Sequence, residues 1–532
     1  MDIDITVKNY RCFADEKPVR VSLRNGFTAF VGPNNSGKSS LLRFFYEFRS
    51  LFASLGSTPP SSLANILRHN SVPFDRPSSI LDINEIFNNG NQRDLVIELG
   101  FDPKEAIETK IGKPVVNDIT FTMKRGVQTF TGESKIANTL LDFSSLDIKQ
   151  VGGVLYLDSK KGGVGISHLS RVLGTLAQCL YVPSFRNVIN VGTKDRYFDI
   201  QVGESFIYQW KNFKEGNTKA STLAALRVEN DIKRIFGYKE LQVNPSADAK
   251  TLQLIIDGKP YRLEELGSGI AQFILVLVNA AVRQPTYILI DEPETNLHPS
   301  LQLDFLTTLA SYASEGVVFA THNLGLARAS ADRIYSVTQR NGISEVNPYE
   351  ATQNLSEFLG ELSYSGYREL GFDRVLLVEG PKDVRTVQQF LRLFQKEHKV
   401  VILPLGGSSL INGDCEAQLN EIKRISNNVS AFIDSERSAQ GEEIAVGLKA
   451  FVEACRRANV VCHVLERRAI ENYLTDAAIK MIKGEKYCSL KPFELLKDTP
   501  FSWSKSENWR IAREMSIDDI EGTDLFKFLQ DL

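Results

Sequence analysis

Two groups of residues in this 532-residue chain have the types and spacing for chemistry on phosphate. The first opens with Gly32-Pro33-Asn34-Asn35-Ser36-Gly37-Lys38-Ser39, which fits G-x-x-x-x-G-K-[ST] at every fixed position. Glycines let the backbone N–H groups of such a loop curl around phosphate oxygens, and a helix opening at its end adds partial positive charge. Lys38 is then the residue that reaches the β- and γ-phosphates, and Ser39 the one that holds Mg²⁺. Gly32, Asn34, Asn35, Ser36, Gly37 and Ser40 complete the expected ATP-binding segment. Far along the chain, Tyr287-Ile288-Leu289-Ile290 runs into Asp291-Glu292. At such a strand end the first carboxylate supports Mg²⁺ and the second orients or deprotonates the attacking water.

The second group is acidic. Glu379 follows the strand reading at 373–378, Asp383 lies four residues further on, and Asp434-Ser435-Glu436 ends another such run, Val429 to Ile433. Parallel neighbouring strands would bring Glu379 and Asp434 to one C-terminal sheet edge, where sites of α/β folds form. Asp383, one turn into a helix, and Glu436 add to them. Such hard oxygen ligands suit Mg²⁺ or Mn²⁺, not zinc. Two such ions flank a phosphodiester, one activating water and the other stabilising the leaving oxygen.

The elements that must hold these residues follow from apolar periodicity. Gly26 to Val31 reads as the strand before the phosphate loop, and Ser40 to Phe45 as the helix after it. Ile3, Ile5 and Val7 share one face of a first strand, and Val19 to Leu23 forms a second. Strands are expected at 95–99, at 119–123, and at 154–157 between the glycine pairs 152–153 and 162–163; residues 200–238 read as helical. Val317 to Ala320, apolar throughout like Tyr287 to Ile290, reads as a buried parallel strand. After about residue 350 the pattern resets. Strands at 373–378, 400–404, 429–433 and 460–464 alternate with helices, which is a second α/β unit.

A composition of 42% hydrophobic and 24% charged residues is that of a globular chain of several domains. The formal net charge of −3 gives no global basic field, so any DNA-binding surface must be a local patch. The six cysteines show no C-x-x-C pair, which argues for reduced thiols and against a zinc site. The N-terminus is acidic and alternating, unlike a signal peptide. The longest apolar run, Phe273 to Val282, is too short to span a bilayer. A cytoplasmic location without membrane contact is the expectation.

The first 340 or so residues resemble the ABC-type ATPase heads of the RecF, SMC and OLD group. Gly32 to Ser39 matches their Walker A loop, and Asp291 and Glu292 their Walker B and catalytic glutamate. Leu266-Gly267-Ser268-Gly269-Ile270-Ala271-Gln272 resembles the LSGGQ signature, with Ser268 and Gly269 as the matching pair. Glu294 to Pro299 resembles the D-loop, His322 the switch histidine, and Asn9 to Phe13 the first-strand N-F-R-x-F element. In these families one protomer's signature completes another's ATP site, so the resemblance implies a homodimer or higher oligomer. No long heptad run interrupts the head, and no coupling or membrane segment accompanies it. Both absences argue against an SMC arm and a transporter.

The acidic group resembles a TOPRIM domain, which carries a glutamate after its first strand and D-x-D after a later one. Glu436 stands where the second aspartate is usual. Glu379 with Asp383 fits the E-x-x-x-D form of OLD proteins, and Ile470-Glu471-Asn472-Tyr473 resembles their E-N-Y element, making Glu471 a further metal ligand. The late lysine of OLD proteins, which stabilises charge at the cleaved phosphate, is best matched by Lys505, with Lys497 and Lys491 as rivals. Around it, Trp503 and Trp509 interleave with Lys480, Lys483, Lys486, Arg510 and Arg513. This is the composition of a phosphate-tracking groove or of a solvated helix face.

The implied protein is α/β: an ABC-type ATPase domain at 1–345 with an insertion over about 90–240, a linker at 346–370, and a TOPRIM nuclease domain with a helical extension at 371–532. The resemblance to the OLD family implies an ATP- and metal-dependent DNA endonuclease in anti-phage defence. It would act alone, with a helicase-like partner as in Gabija systems, or with a retron reverse transcriptase and its DNA. The alternative is a RecF-like repair ATPase whose TOPRIM fold binds DNA without cutting it. A topoisomerase would need a nucleophilic tyrosine, for which Tyr473 is the nearest in sequence.

Overall fold

The computed structural model describes residues 2–57, 61–101, 107–108, 113–114, 118–136, 139–140, 147–151, 154–158, 164–184, 196–216, 218–340, 342–349, 374–397, 399–405, 416–423 and 428–532. The expected 346–370 linker, from residue 350 on, lies outside them, as do the glycine pairs at 152–153 and 162–163 and Cys415. Packing divides the chain into two units. The first holds Met1–Asn296, Thr308–His322 and Arg333–Tyr349; the second holds Leu297–Thr307, Asn323–Asp332 and Glu350–Leu532.

The first unit is built on two sheets. In the mainly parallel one the order is Leu180–Val182, Tyr287–Asp291, Gly316–Thr321, Gly26–Val31, Arg333–Arg340 and Ile343–Pro348. Every pairing is parallel except the last. Tyr287–Asp291 and Gly316–Thr321 are buried at every position, which is why their sequences are apolar throughout. Since these strands run parallel, the phosphate loop, Asp291-Glu292 and His322 all leave the sheet at its C-terminal edge. The other sheet is antiparallel, with Ile3–Lys8 between Val19–Leu23 and Leu95–Phe101. Ile3, Ile5 and Val7 face inward, in strict alternation. Their core also takes Phe44, Phe45, Phe48 and Phe52, from the two helices that follow the phosphate loop.

The second unit centres on four parallel strands in the order Val400–Pro404, Arg374–Val378, Val429–Ile433 and Val461–Val464. Side chains alternate between two cores. Leu376, Val378 and Phe432 pack with Val384, Val387 and Phe390 of the helix Pro381–Leu393. Val375, Leu377, Ala431 and Ile433 pack with Leu448 and Phe451 on the other face. Two segments that the sequence places with the ATPase domain, Leu297–Thr307 and Asn323–Asp332, pack in this unit.

The interleaved tryptophans are not a stacking platform for bases. Trp503 and Trp509 are 7% and 2% exposed, and the Trp503 indole N–H donates to Asn508 Oδ1 at 2.9 Å. Both fill the interior beneath the C-terminal helices, where burying an aromatic ring is most favourable. Cys12, Cys179, Cys455, Cys462 and Cys488 are free thiols. Among the described residues no helix is long and apolar enough to cross a membrane.

Candidate functional site

In the first unit, Gly37 caps the helix Lys38–Glu47 at φ 107°, a conformation that favours glycine. A Cβ at Gly37 would lie 2.7 Å from Cys12 Sγ and 2.9 Å from Phe13 Cζ; at Gly32 it would lie 2.0 Å from the Val337 carbonyl oxygen. These contacts give the first-strand element its role. Tyr10 and Phe13 are buried beside the loop, and Arg11 and the Tyr10 hydroxyl both bond Glu47 at the helix's far end, at 2.5 and 2.7 Å. Asn34 and Asn35 are exposed on the loop, and Asn35 has φ 61°. Ser36 is buried, while Ser39 is exposed and Ser40 half-buried at the helix start.

Lys38 is buried, and its ammonium donates to the carbonyl oxygens of Gly32 and Pro33 at 2.8 and 2.9 Å. Burial lowers its pKa, against the pull of Asp291, Glu292 and Glu294. Burial also pushes the Asp291 carboxyl up to about 6, against a hydrogen bond from Ser39 and helped by the like charge of Glu292. Asp291 Oδ1 is buried without a hydrogen-bond partner. An orphaned carboxylate oxygen beside a serine hydroxyl fits a Mg²⁺ held by Ser39 and Asp291. Glu292 takes φ 50° and donates its N–H to the Ala320 carbonyl at 2.8 Å, which aims its side chain along the sheet edge. Its carboxylate accepts from the Ser184 hydroxyl at 2.8 Å and stands 3.4 Å from His322 Nε2. His322 Nε2 is also 3.4 Å from the Lys38 ammonium. Ser268 and Gly269 open the helix Ser268–Arg283, with Ser268 exposed.

Ser184 escaped the sequence reading, and Glu294, expected at the start of the D-loop-like segment, takes a role that reading did not give it. Ser184 reaches Glu292 because Leu180–Val182 is the parallel neighbour of Tyr287–Asp291. Glu294 accepts from the Thr321 hydroxyl at 2.6 Å and the His322 N–H at 3.0 Å, tying the loop after Asp291 to the switch strand. Only the strand order could have pointed to these contacts.

In the second unit, Glu379 and Asp434 follow the adjacent parallel strands Arg374–Val378 and Val429–Ile433. The order of the sheet reverses between these two strands, and ligand sites of open α/β sheets form at such a switch point. The Asp434 N–H donates to Glu379 Oε1 at 3.0 Å, and Asp434 Oδ1 accepts from the Ile470 N–H at 3.0 Å. Asp383 caps its own helix, accepting from the Gly380 N–H at 3.0 Å. Lys505 stands 2.9 Å from Glu471 Oε1 and 3.7 Å from Asp434 Oδ2. Of the three lysines considered, Lys505 stands among the carboxylates; Lys491 and Lys497 are exposed. Glu436 is at the rim, at φ 54°, with its carboxylate paired to Arg468 at 2.7 Å.

Charge at this second site is poorly balanced. Burial and the neighbouring Asp383 push Glu379 up to about 7. Burial pushes Asp383 up to about 6, against Lys505. Asp434 is raised well above the carboxylate range by burial, Asp383 and Glu379. Burial works against the charged Lys505, yet Asp434, Glu471 and Asp383 raise its pKa above that of an ordinary lysine. Glu471 Oε2 is buried with no hydrogen-bond partner. Among the described residues no three such groups converge closely enough to hold an ion as they stand. The donor chemistry, all hard oxygens in a buried excess of negative charge, fits a divalent cation such as Mg²⁺. Glu379, Asp383, Asp434 and Glu471 are the residues that could hold it.

Tyr473 is buried beside this site. Its hydroxyl donates to Asp524 at 2.6 Å and accepts from the Arg467 N–H at 3.1 Å. Burial and the Asp524 hydrogen bond raise its pKa, so it is an unreactive structural phenol and no candidate nucleophile.

Comparison with known proteins places the first unit. The AAA ATPase domain family matches residues 1–151 and 187–327. The glutamate transport ATP-binding protein GluA of Corynebacterium efficiens is 30% identical over 102 residues, 18% of this chain and 42% of that protein. The hemin import ATP-binding protein HmuV of Bordetella avium is 35% identical over 85 residues, 15% of this chain and 33% of that protein. The chain thus spans less than half the length of these curated relatives. Among solved structures, the SMC head domain from Thermotoga maritima is a distant likeness. Its TM-score is 0.36 at 14% identity, covering 66% of this chain and all of that one.

Proposed function

We propose that this chain, which belongs to the AAA ATPase domain family, joins its ATPase domain to a divalent-metal-dependent DNA endonuclease of the TOPRIM type. The observation that carries the reading is the gathering of Glu379, Asp383, Asp434, Glu471 and Lys505 at one switch point of a parallel sheet. Bound Mg²⁺ or Mn²⁺ supplies the Lewis acidity that polarises a phosphodiester. Glu379 and Asp434 fix the inner edge of the site through their shared hydrogen bond, and Asp383 extends it along the helix. Lys505 neutralises charge gathering on the phosphate oxygens, and Arg468 holds Glu436 at the rim. In the first unit, Lys38 grips the phosphates of ATP, Ser39 and Asp291 hold Mg²⁺, and Glu292 directs water with His322 beside it.

Exposed Ser268 and half-buried Gly269 suit a composite ATP site completed by a second copy, so the working form is a homodimer or higher oligomer. DNA is the substrate and anti-phage defence in the cytoplasm the setting, alone, with a helicase-like partner, or with a retron reverse transcriptase. The absence of three convergent carboxylates among the described residues favours one second reading, a RecF-like ATPase that grips DNA without cutting it.

The test is cleavage of supercoiled plasmid with Mg²⁺ or Mn²⁺, with and without ATP, for wild type and Glu379→Ala. Metal-dependent nicking by wild type, lost in the variant, is expected. Plasmid that stays intact while DNA stimulates ATP turnover would establish the second reading instead.

A further inference from the structure

The helix Pro381–Leu393 carries Asp383 in its first turn and, one face over, Arg385, Gln388 and Arg392 at i, i+3 and i+7. All three are buried, at 0%, 4% and 9% exposure, and each meets an acid within the second unit. Arg385 forms a two-pronged pair with Asp332, at 2.5 and 3.2 Å. Gln388 donates to Asp304 Oδ1 at 2.7 Å, and the Arg392 guanidinium lies 3.3 Å from the same oxygen. A buried ion pair holds two elements together no better than well-packed apolar side chains would. It differs in tolerance: apolar surfaces slide, whereas a displaced buried pair leaves two uncompensated charges.

The acids sit on chain segments of particular origin. Asp332 ends the stretch Asn323–Asp332, which begins directly after His322. Asp304 lies on Leu297–Thr307, which begins directly after the loop carrying Glu292 and Glu294. In the first unit, that loop and the switch strand are tied through Glu294 to Thr321 and His322. In the second, the two segments are tied by a hydrogen bond from the Asn323 amide to Gln302 Oε1 at 3.3 Å. The chain therefore leaves each catalytic loop of the ATPase and enters, within a few residues, a helix locked to the carrier of Asp383.

We propose that Asp304 and Asp332 are positioning residues that transmit the nucleotide state of the ATPase loops to the helix presenting Asp383, so regulating the carboxylate site. What is regulated rests on the nuclease reading above; the transmission rests on the locks alone. The relay is short and covalent at both crossings. ATP contacts that shift the loop after Glu292 or the backbone of His322 shift Leu297 or Asn323 with them. The locks then make Pro381–Leu393 follow, and Asp383 moves relative to Glu379 and Asp434.

The test follows amide hydrogen exchange in residues 381–393 of the full chain, with and without Mg²⁺ and a non-hydrolysable ATP analogue. Nucleotide should change wild-type exchange there by about fivefold or more, the lower end of ordinary allosteric coupling. Asp304→Asn with Asp332→Asn should abolish that response while nucleotide affinity is unchanged. Exchanging the pair, Asp332→Arg with Arg385→Asp, should restore it in part, which a merely structural role would not do. If the double variant does not fold, Asp332→Asn alone should show a reduced response. An unresponsive wild-type helix, or a response that survives loss of both acids, overturns the proposal. A wild type that responds but never cuts DNA leaves the relay standing and refutes the nuclease reading.

Discussion

The two sites use the same scaffold and differ in how far their acids are compensated. Each gathers carboxylates at the C-terminal edge of a parallel sheet. In the nucleotide site each acid has at least one donor, Glu294 from Thr321 and the His322 N–H, Glu292 from Ser184 and Asp291 from Ser39, while Asp291 Oδ1 and Glu294 Oε2 are buried without one. Lys38, meanwhile, bonds the carbonyls of its own loop. In the carboxylate site four acids surround one ammonium, and three of their pKa values are pushed upward. The first site has its loop and most of its acid oxygens bonded before any ligand arrives, with the unmet demand for positive charge centred on Asp291, and in the second that demand is spread over several acids. Preorganised donors suit a large, variable anion; a frustrated acid cluster suits a small cation.

The sharpest way to break that contrast is to remove an acid that only a cation can justify. Asp434→Ala should lower metal-dependent nicking by on the order of 1,000-fold while leaving ATP turnover intact. If ATP turnover falls equally, the two sites are not chemically separate. Glu292→Gln, at the other site, should slow ATP hydrolysis by about 100-fold or more with nucleotide binding retained, the usual worth of a positioned base. Binding lost along with hydrolysis would mean that Glu292 holds the loop together instead.

The pH response should differ with metal. Glu379 and Asp383 have folded pKa values of about 7 and 6, above the ordinary values near 4 for unfolded chains. Their contribution to stability is therefore full below the unfolded values and is lost as pH rises through the folded ones. Metal-free protein should melt at a lower temperature at pH 8 than at pH 5. Mg²⁺ should raise the melting temperature at pH 8 and do little at pH 5, where protons occupy the carboxylates. Asp291, at about 6, contributes in the same direction. The experiment therefore belongs in Asp291→Asn, where any remaining slope reports the second site. A flat profile in that variant would remove the case for a frustrated cluster.

How far each site could be read in advance follows from how it is encoded. The phosphate loop is eight consecutive residues between a strand and a helix, so local physics suffices. The carboxylate site draws on residues 379, 383, 434, 471 and 505, and its expectation depended on assuming that two apolar runs pair in parallel, as they do. Ser184 and the contacts of Glu294 with Thr321 and His322 depend on strand neighbours, which no local pattern reveals. The strands Arg333–Arg340 and Ile343–Pro348 were missed because polar residues interrupt them and they lack the apolar run that marked the central strands. Trp503 and Trp509 misled for the opposite reason: an aromatic between lysines reads alike whether it stacks on a base or fills a core. The locks at Asp304 and Asp332 lie 84 and 53 residues from their partners and look like ordinary surface charges until the elements are packed.

The smallest expected effect is also the most discriminating. Glu471→Gln keeps the shape of the side chain and still offers an oxygen to Lys505, but removes one negative charge beside Asp434 and Asp383. Where like charges are crowded, that removal should stabilise the metal-free fold by about 1 kcal/mol at pH 8, because an uncompensated buried charge costs more than a neutral amide in its place. Glu294→Gln makes the same chemical change in the nucleotide site, where one carboxylate oxygen, Oε1, already accepts from two donors and Oε2 is buried without one. There it should cost about 1 kcal/mol, the difference between a charge-assisted and a neutral hydrogen bond. Urea unfolding of the two variants in a chelator reads both. Opposite signs mean that one site is built and the other waits for its cation. Equal losses would mean that the second cluster is as well satisfied as the first, and that Lys505 alone already balances it.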